Sequence, residues 1–581
     1  MSLARLAFAA TLLSASPALA QLAMPPTPTG QPILSDWWRV QAVQGRAGMV
    51  SSQEALATRV GVDILARGGN AVDAAVATGF ALAVTLPRAG NLGGGGFMVI
   101  HLADGHRQIA IDHRETAPAS ANARMFLDAN GRADPRLSRD TGLSVGVPGT
   151  VAGLAHAHAR YGSGRFGLAD LIAPAIRLAR EGIPIAEDLA DSLPRAAARI
   201  GRHPATRAIV FQGDRPLAPG ARLVQSDLAR TLDLIATRGP AGFYTGPVAE
   251  RIAAAVRAEG GGMVAEDLAA YRVRERPVAR GRYRGFEVVS MPPPSSGGVH
   301  LVQILNILEG FDLAAMGHGS AETLHVMAEA MKLAYADRSE FLGDPDFVRV
   351  PVAGLTSKAY AETQRATIDR VRARPAAEIR PGRPPVGEGD QTTHYSVVDA
   401  AGNAVAVTTT INFSYGLGLV AEGTGVLLNN QLDDFAAQAG VANAYGLVGG
   451  DANAPAAGKR PLSSMAPTIL LRDGRAVLVT GSPGGSRIIT TVLGLVTGLV
   501  DHGLTLGEAT VAPRMHHQWL PDEMIVERGF SPDTLRLLRE RGHRIVERPA
   551  SGSLSSILVA PDGTMHGFAD TRQRGTLAAG P

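Results

Sequence analysis

Two runs of strand-like residues flank a short polar turn between positions 393 and 410. β-Branched and aromatic side chains dominate from Thr393 to Val398, Asp399-Ala-Ala-Gly-Asn403 carries the turn signals, and Ala404-Val-Ala-Val-Thr-Thr-Thr410 resumes the β pattern. This predicts a strand, a tight turn and a second strand. Upstream, residues 373 to 391 are rich in Pro, Arg and Gly and follow neither apolar period, so they predict an irregular segment that stops abruptly at Thr392.

Elsewhere the period is helical. A helix is expected from about Ser52 to Ala66, opened by the capping-box pattern Ser51-Ser-Gln-Glu54, and a longer one from Asn70 to about Leu86, closed by Pro87. The glycine-rich stretch Gly90 to Phe97 then leads into a strand through His101. It follows a helix and precedes a strand, the reverse of the order a phosphate-binding loop requires, and is read as close packing of backbone. Ile109 to Pro118 reads as a strand entering a turn, with Arg114 at its end. Between 150 and 375 helical segments are expected near 151–160, 168–182, 247–258 and 321–341, read as outer layers. They are interrupted by a strand at Phe286 to Met291 and the loop Pro292 to Gly298, which is assigned a supporting role. Helices mixed with strands predict an α+β chain.

A threonine heading a buried strand after a loose loop suits one particular chemistry. If the Gln391–Thr392 bond is cut, Thr392 carries a hydroxyl nucleophile and a free α-amine whose ordinary pKa, about 7.7, lets the residue act as its own base. The same hydroxyl is placed to attack the Gln391 carbonyl and make the cut. Read on its own, Thr392 is equally an ordinary β-branched strand residue. Asn429-Asn-Gln-Leu-Asp-Asp-Phe435 packs five amide or carboxylate side chains into seven positions. That is a costly set to bury without partners, so it marks either a surface loop or a built polar site. Gly484-Gly485 lies between the apolar strand Ala476 to Thr480 and a helix beginning near Ser486, where paired N–H groups suit an oxyanion hole. His516-His517 has no carboxylate spacing to support a metal, and none is expected.

Composition narrows the setting. Net charge is +3, and all but three of the 56 basic residues are arginine, dispersed among acids rather than gathered in a block, which argues against nucleic-acid binding. There are no cysteines, hence no disulfide, thiol nucleophile or cysteine metal site. Arg5, the apolar run Leu6 to Leu13 and Ala18-Leu19-Ala20 read as a signal peptide (residues 1–20) cleaved before Gln21, predicting a periplasmic or secreted protein without a membrane anchor.

Gln391-Thr-Thr-His-Tyr-Ser-Val-Val-Asp399 resembles the processing site of the γ-glutamyltransferase family, members of the N-terminal-nucleophile hydrolases. The likeness continues through Leu427 to Phe435, Lys459-Arg-Pro-Leu-Ser-Ser-Met-Ala-Pro467 and Gly481-Ser-Pro-Gly-Gly-Ser-Arg487. It implies a four-layer αββα sandwich and autocleavage into a large subunit, 21–391, and a small one, 392–581, held as a heterodimer. It implies an enzyme without a cofactor that takes glutathione and other γ-glutamyl compounds and passes the acyl group to amino acids, peptides or water. Residue by residue it implies Thr392 as nucleophile, Thr410 as its hydroxyl's neighbour, and Gly484 and Gly485 as the oxyanion hole. Arg114, Ser463 and Ser464 would hold the donor's α-carboxylate, Asn412, Gln431 and Asp434 its ammonium, and Tyr445, in a lid running from Ala436 to Gly450, would cover it. Asp570-Thr-Arg572 departs from the Asp-Pro-Arg expected there. Two rivals stand beside this assignment: a cephalosporin-type acylase taking glutaryl amides without an α-ammonium, and a solute-binding protein for glutathione that stays one chain.

Overall fold

The computed structural model describes residues 40–384 and 394–581. The expected signal peptide, the Gln391–Thr392 cleavage point and the Thr392 nucleophile lie outside the described residues. The predicted hairpin is present. His394–Asp399 and Ala404–Thr410 pair antiparallel, with His394 opposite Thr408. The Asp399 carboxylate closes the turn by accepting from the N–H groups of Ala401 and Asn403 at 2.9 and 3.0 Å, and it also accepts from Ala71 N–H at 2.9 Å at the start of the next-door helix.

The hairpin sits at the centre of a seven-stranded antiparallel sheet. Across it run Leu577–Ala579, Gly48–Ser52, His394–Asp399, Ala404–Thr410, Gly95–Leu102, Arg107–His113 and Arg274–Arg276. A second seven-stranded sheet includes Ala279–Tyr283, Phe286–Ser290, Thr468–Arg472, Arg475–Thr480 and Ser555–Val559. Period-2 alternation sorts the side chains. Val398, Ala404 and Ala406 meet Val289, Ile469 and Val479 of the other sheet in an apolar layer. Tyr395, Val397, Val405 and Val407 face outward onto the helices Ala71–Thr85, Thr150–Tyr161 and Leu168–Glu181. The second sheet is covered on its far side by Gly297–Leu308, Ala321–Phe341 and Ile488–Val500. The result is the four-layer αββα sandwich, and both sheets draw strands from either side of position 391.

Asn70 caps the helix Ala71–Thr85 in a capping box with Asp73, as expected. The helix before it differs from expectation. It runs Ala55–Ala66 with Glu54 itself as the cap, its carboxylate accepting from the N–H groups of Leu56 and Ala57. Ser51 and Ser52 belong to the strand Gly48–Ser52, because the ladders to His394–Asp399 and Leu577–Ala579 claim their backbone, Ser51 in both and Ser52 in the second. The glycine-rich loop packs as predicted: a Cβ at Gly93 would strike the Leu427 carbonyl, and one at Gly94 the Thr410 carbonyl. The helix expected near Ser486 starts as a tight 3₁₀ turn, Gly485–Arg487, and becomes α-helical at Ile488.

Candidate active site

Arg114 is the residue after the strand Arg107–His113, fully buried, with its N–H donating to Asp112 Oδ1 at 3.0 Å. Its guanidinium Nη2 donates to Asp434 Oδ2 at 2.6 Å and Nε to the Pro461 carbonyl at 3.3 Å. Asp434 closes the 3₁₀ turn Gln431–Asp434, and Gln431 Nε2 donates to the same Oδ2 at 2.7 Å. The polar stretch 429–435 is therefore an interior turn. Its other members are anchored: the Asn429 amide bridges the Gly93 and Gly146 carbonyls at 2.8 Å each, and Asp433 Oδ1 accepts from Ser138 Oγ at 2.5 Å.

Within this buried cluster several polar atoms have no hydrogen-bond partner among the described residues: Arg114 Nη1, Gln431 Oε1, Asp433 Oδ2, Asp434 Oδ1, Ser463 Oγ and both oxygens of Glu115. Arg114 Nη1 lies 3.8 Å from Glu115 Oε2, too long for a hydrogen bond. Buried polar groups are rarely left unpaired, and a concentration of them marks a place where a ligand supplies the partners. The unpaired set comprises guanidinium and hydroxyl donors for a carboxylate, and carboxylate and amide oxygens for an ammonium. Burial pushes the Asp434 carboxyl up to about 6, with Arg114 opposing the shift, and the Glu115 carboxyl up to about 7.

The loops that carry these groups are tied together. Asn453 Nδ2 donates to the Asp434 carbonyl at 2.7 Å while its Oδ1 accepts from Leu462 N–H at 2.9 Å. Ser463 is held through its carbonyl, which accepts from Ser296 Oγ at 2.8 Å and from Arg338 Nη2 at 3.3 Å. That gives the Pro292–Gly298 loop the supporting role expected of it. Ser464, beside Ser463, is buried too. Arg460 is locked by Arg272, Asp112 and Asp344, so the 459–467 segment has little freedom.

A cleft of about 290 Å³ is lined by Thr410, Asn412, Tyr445, Gly484, Gly485 and Arg88 among others. Asn412 has φ +72°, a left-handed conformation that Asn tolerates better than most residues. Its N–H donates to Thr410 Oγ1 at 2.8 Å, fixing that hydroxyl at the strand's end. Tyr445 Oη donates to Asn412 Oδ1 at 2.9 Å, and its ring lies against Gly485, where a Cβ would stand 2.6 Å from the ring. Gly484 and Gly485 have φ of +138° and +57°, and their N–H groups form no hydrogen bond with the described residues. Paired free N–H groups beside a helix start are suited to a developing oxyanion. Gln518 joins lid to helix, accepting from Ser486 Oγ at 2.7 Å and donating to the Tyr445 carbonyl at 3.1 Å.

All the expected site residues that are described thus fall into two adjoining groups, one around Arg114 and Asp434, one around Thr410 and Gly484. Sequence reasoning missed Glu115, Asn453, Arg460 and Gln518 as contributors. Glu115 and Arg460 stand inside motifs that are read for other residues, and no local pattern distinguishes Asn453 and Gln518 from surface residues. His517 pairs with Asp522 at 3.3 Å rather than with a metal-like set. Among the described residues one cluster has metal-ligand spacing, His325, Glu329 and His543. There His325 Nδ1 is hydrogen-bonded to His543 Nε2 at 2.8 Å, and Lys332 Nζ lies 2.6 Å from Glu329 Oε1, so a cation is already in place.

A four-layer αββα sandwich with a threonine-ended central strand, a glycine turn with free N–H groups and a buried cluster of unpaired charged and polar atoms is the architecture of the N-terminal-nucleophile amidohydrolases. Comparison with known proteins narrows the class. A sequence profile described as gamma-glutamyltranspeptidase matches residues 57–580. The glutathione hydrolase proenzyme of Escherichia coli K12 is 54% identical over 579 residues, covering 100% of this chain and 99% of that protein. The cephalosporin acylase of Bacillus halodurans superposes with a TM-score of 0.83 at 27% identity, over 96% of this chain and 99% of that one. The Helicobacter pylori gamma-glutamyltranspeptidase chain gives 0.56 at 48% identity, over 57% of this chain and 94% of that one. The protein belongs to the gamma-glutamyltranspeptidase family.

Proposed function

We propose that this chain is a proenzyme that cuts itself before Thr392 and then acts as a γ-glutamyltransferase and glutathione hydrolase. The observation that carries the substrate assignment is the set of unpaired buried atoms on Arg114, Gln431, Asp434 and Ser463, which matches the two charges of an amino-acid head group. A site of this kind rejects acyl groups lacking either charge, because its own polar atoms would then stay unpaired. This favours γ-glutamyl over glutaryl donors.

The nucleophile assignment draws support from the end of the strand Ala404–Thr410, where the Thr410 hydroxyl accepts from Asn412 N–H at 2.8 Å and lines the same cleft as Gly484 and Gly485. In the reaction, the Thr392 hydroxyl gives its proton to the residue's own α-amine and attacks the γ-carbonyl carbon. The oxygen of the tetrahedral intermediate takes the N–H groups of Gly484 and Gly485, each such donor being worth roughly 3–4 kcal/mol. The leaving amine departs with the proton, and an ester to Thr392 remains. An amino acid, a peptide or water then attacks the ester carbonyl and restores the hydroxyl. Residues 21–391 and 392–581 are proposed to stay together as a heterodimer after the cut, since each sheet is built from both. Export to the periplasm or beyond is proposed from the N-terminal sequence alone.

The test is mass spectrometry of the purified protein together with γ-glutamyl-p-nitroanilide turnover, for wild type and Thr392→Ala. Two chains, one starting at Thr392, and turnover are expected for the wild type, with one uncut and inactive chain for the variant. A cut variant would overturn self-processing, and an uncut but active wild type would overturn the nucleophile.

A further inference from the structure

Beyond the catalytic cleft the molecule opens into a larger one of about 790 Å³. The two are continuous, since Arg88, Ser414, Gly552 and Gln573 line both. The outer cleft is basic: Arg88, Arg195, Arg199, Arg202, Arg572 and Arg574 line it against only two acids, Asp188 and Asp191. Most of these arginines are already engaged. Arg88 Nε pairs with Asp188 at 2.5 Å, Arg195 and Arg574 share Asp191 at 3.7 and 3.9 Å, Arg202 faces Asp140 at 3.8 Å, and Arg572 pairs with Glu527 at 2.7 Å.

Arg199 is the exception. It lies near the end of the helix Glu187–Ile200, half-buried, and forms no ion pair among the described residues. Its Nη1 donates to the Gly416 carbonyl at 2.8 Å and its guanidinium stacks over the Phe413 ring at 4.9 Å, so the fork is held in one orientation. Arg88 adds a buried Nη2 with no hydrogen-bond partner among the described residues, on the wall shared by the two clefts. A rigid guanidinium without a carboxylate, beside a second unpaired donor, is a site for a planar anion.

We propose that Arg199, assisted by Arg88, binds the terminal carboxylate of the group on the far side of the scissile bond. That group is the dipeptide leaving a γ-glutamyl donor and, in the second half-reaction, the peptide or amino acid accepting the acyl group. The cleft that Arg199 lines is contiguous with the one that holds the Gly484-Gly485 turn, which gives a group leaving or entering there a path to Arg199. The arrangement also couples this site to the lid. Phe413, under Arg199, meets the Tyr445 ring edge-on at 5.9 Å, so an anion settling on Arg199 bears on the residue that covers the donor. The inference rests on the γ-glutamyltransferase assignment and adds to it a preference for acceptors with a free carboxylate.

The experiment measures acyl transfer from γ-glutamyl-p-nitroanilide to glycylglycine and to glycylglycinamide, and takes the ratio of the two acceptor efficiencies within each variant, so that any general loss of activity divides out. The wild type is expected to prefer the carboxylate. In Arg199→Gln the preference is expected to fall about tenfold, and in Arg199→Lys, which keeps the charge and loses the planar fork, by less. In the wild type the preference is expected to shrink as salt rises, because the cleft is open to screening. An unchanged ratio in Arg199→Gln overturns the proposal. If that variant does not fold, a wild-type preference that is absent or insensitive to salt overturns it instead. Failure of the underlying assignment looks different: the wild type would then release no p-nitroaniline from the γ-glutamyl donor at all.

Discussion

Replacing Asp434 by Asn tests the head-group site directly, because the exchange keeps the shape and removes the charge. The Asp434 carboxylate is buried, takes Arg114 Nη2 at 2.6 Å and Gln431 Nε2 at 2.7 Å on one oxygen, and has no partner for the other among the described residues, the atom proposed to receive the donor's ammonium. Losing one partner of a buried, hydrogen-bonded charge pair costs about 2–5 kcal/mol. At 1.36 kcal/mol per decade, a loss near 3 kcal/mol lowers kcat/KM for γ-glutamyl-p-nitroanilide by about 100-fold or somewhat more. Glutaryl-p-nitroanilide lacks the ammonium, so its kcat/KM should change by less than about tenfold, the remainder reflecting Arg114 settling without its partner. The ratio of the two substrates should therefore collapse. The pH profile gives a second reading. With the carboxyl pushed up to about 6, γ-glutamyl turnover by the wild type should fall as pH drops through 6 and the group takes up a proton, and the variant should lack that limb. Equal losses on both substrates would refute the assignment, since Asp434 would then be acting through the fold and not through the ammonium.

Glu115→Gln should stabilise the free protein at high pH. Burial lifts its carboxyl from 4.5 to about 7, so the cost of holding the charge is absent below pH 4.5, grows as pH rises, and is complete above 7. The variant should gain up to about 3 kcal/mol at pH 8, and the difference in Tm from wild type should close towards pH 4.5; a variant less stable at pH 8 would contradict this. Gly485→Ala adds a Cβ 2.6 Å from the Tyr445 ring at a φ of +57°, which costs about 1 kcal/mol in backbone strain and moves the oxyanion turn. Its kcat should drop by about 100-fold, and a kcat within twofold of wild type would exclude the turn from catalysis. Tyr445→Phe removes the 2.9 Å bond to Asn412, worth about 1 kcal/mol, so KM for γ-glutamyl donors should rise about fivefold; an unchanged KM would mean that the lid does not close through that bond.

The linear chain by itself determined the hairpin at 394–410, because β-branched runs around Asp399-Ala-Ala-Gly-Asn403 leave the backbone few alternatives. It determined most helices for the same kind of reason: the helix Ala71–Thr85 announces itself by its cap, and Thr150–Tyr161 and Ala321–Phe341 by composition and length. It also supplied the candidate site residues, through several long motifs matching one family together. What it did not contain is which polar groups end up without partners. Arg114, Gln431 and Ser463 are hundreds of positions apart or on different loops, and only burial leaves each of them with an unpaired polar atom, the set on which the proposed head-group site rests. The same holds for Ser51 and Ser52, whose capping pattern lost to strand ladders reaching positions 396 and 577, and for Arg199, one arginine among many until Phe413 fixes it at the mouth of the cleft. Local chemistry sets the elements because it acts over a few residues. Desolvation and unmet hydrogen bonding are properties of the packed interior, and the tertiary structure alone decides them.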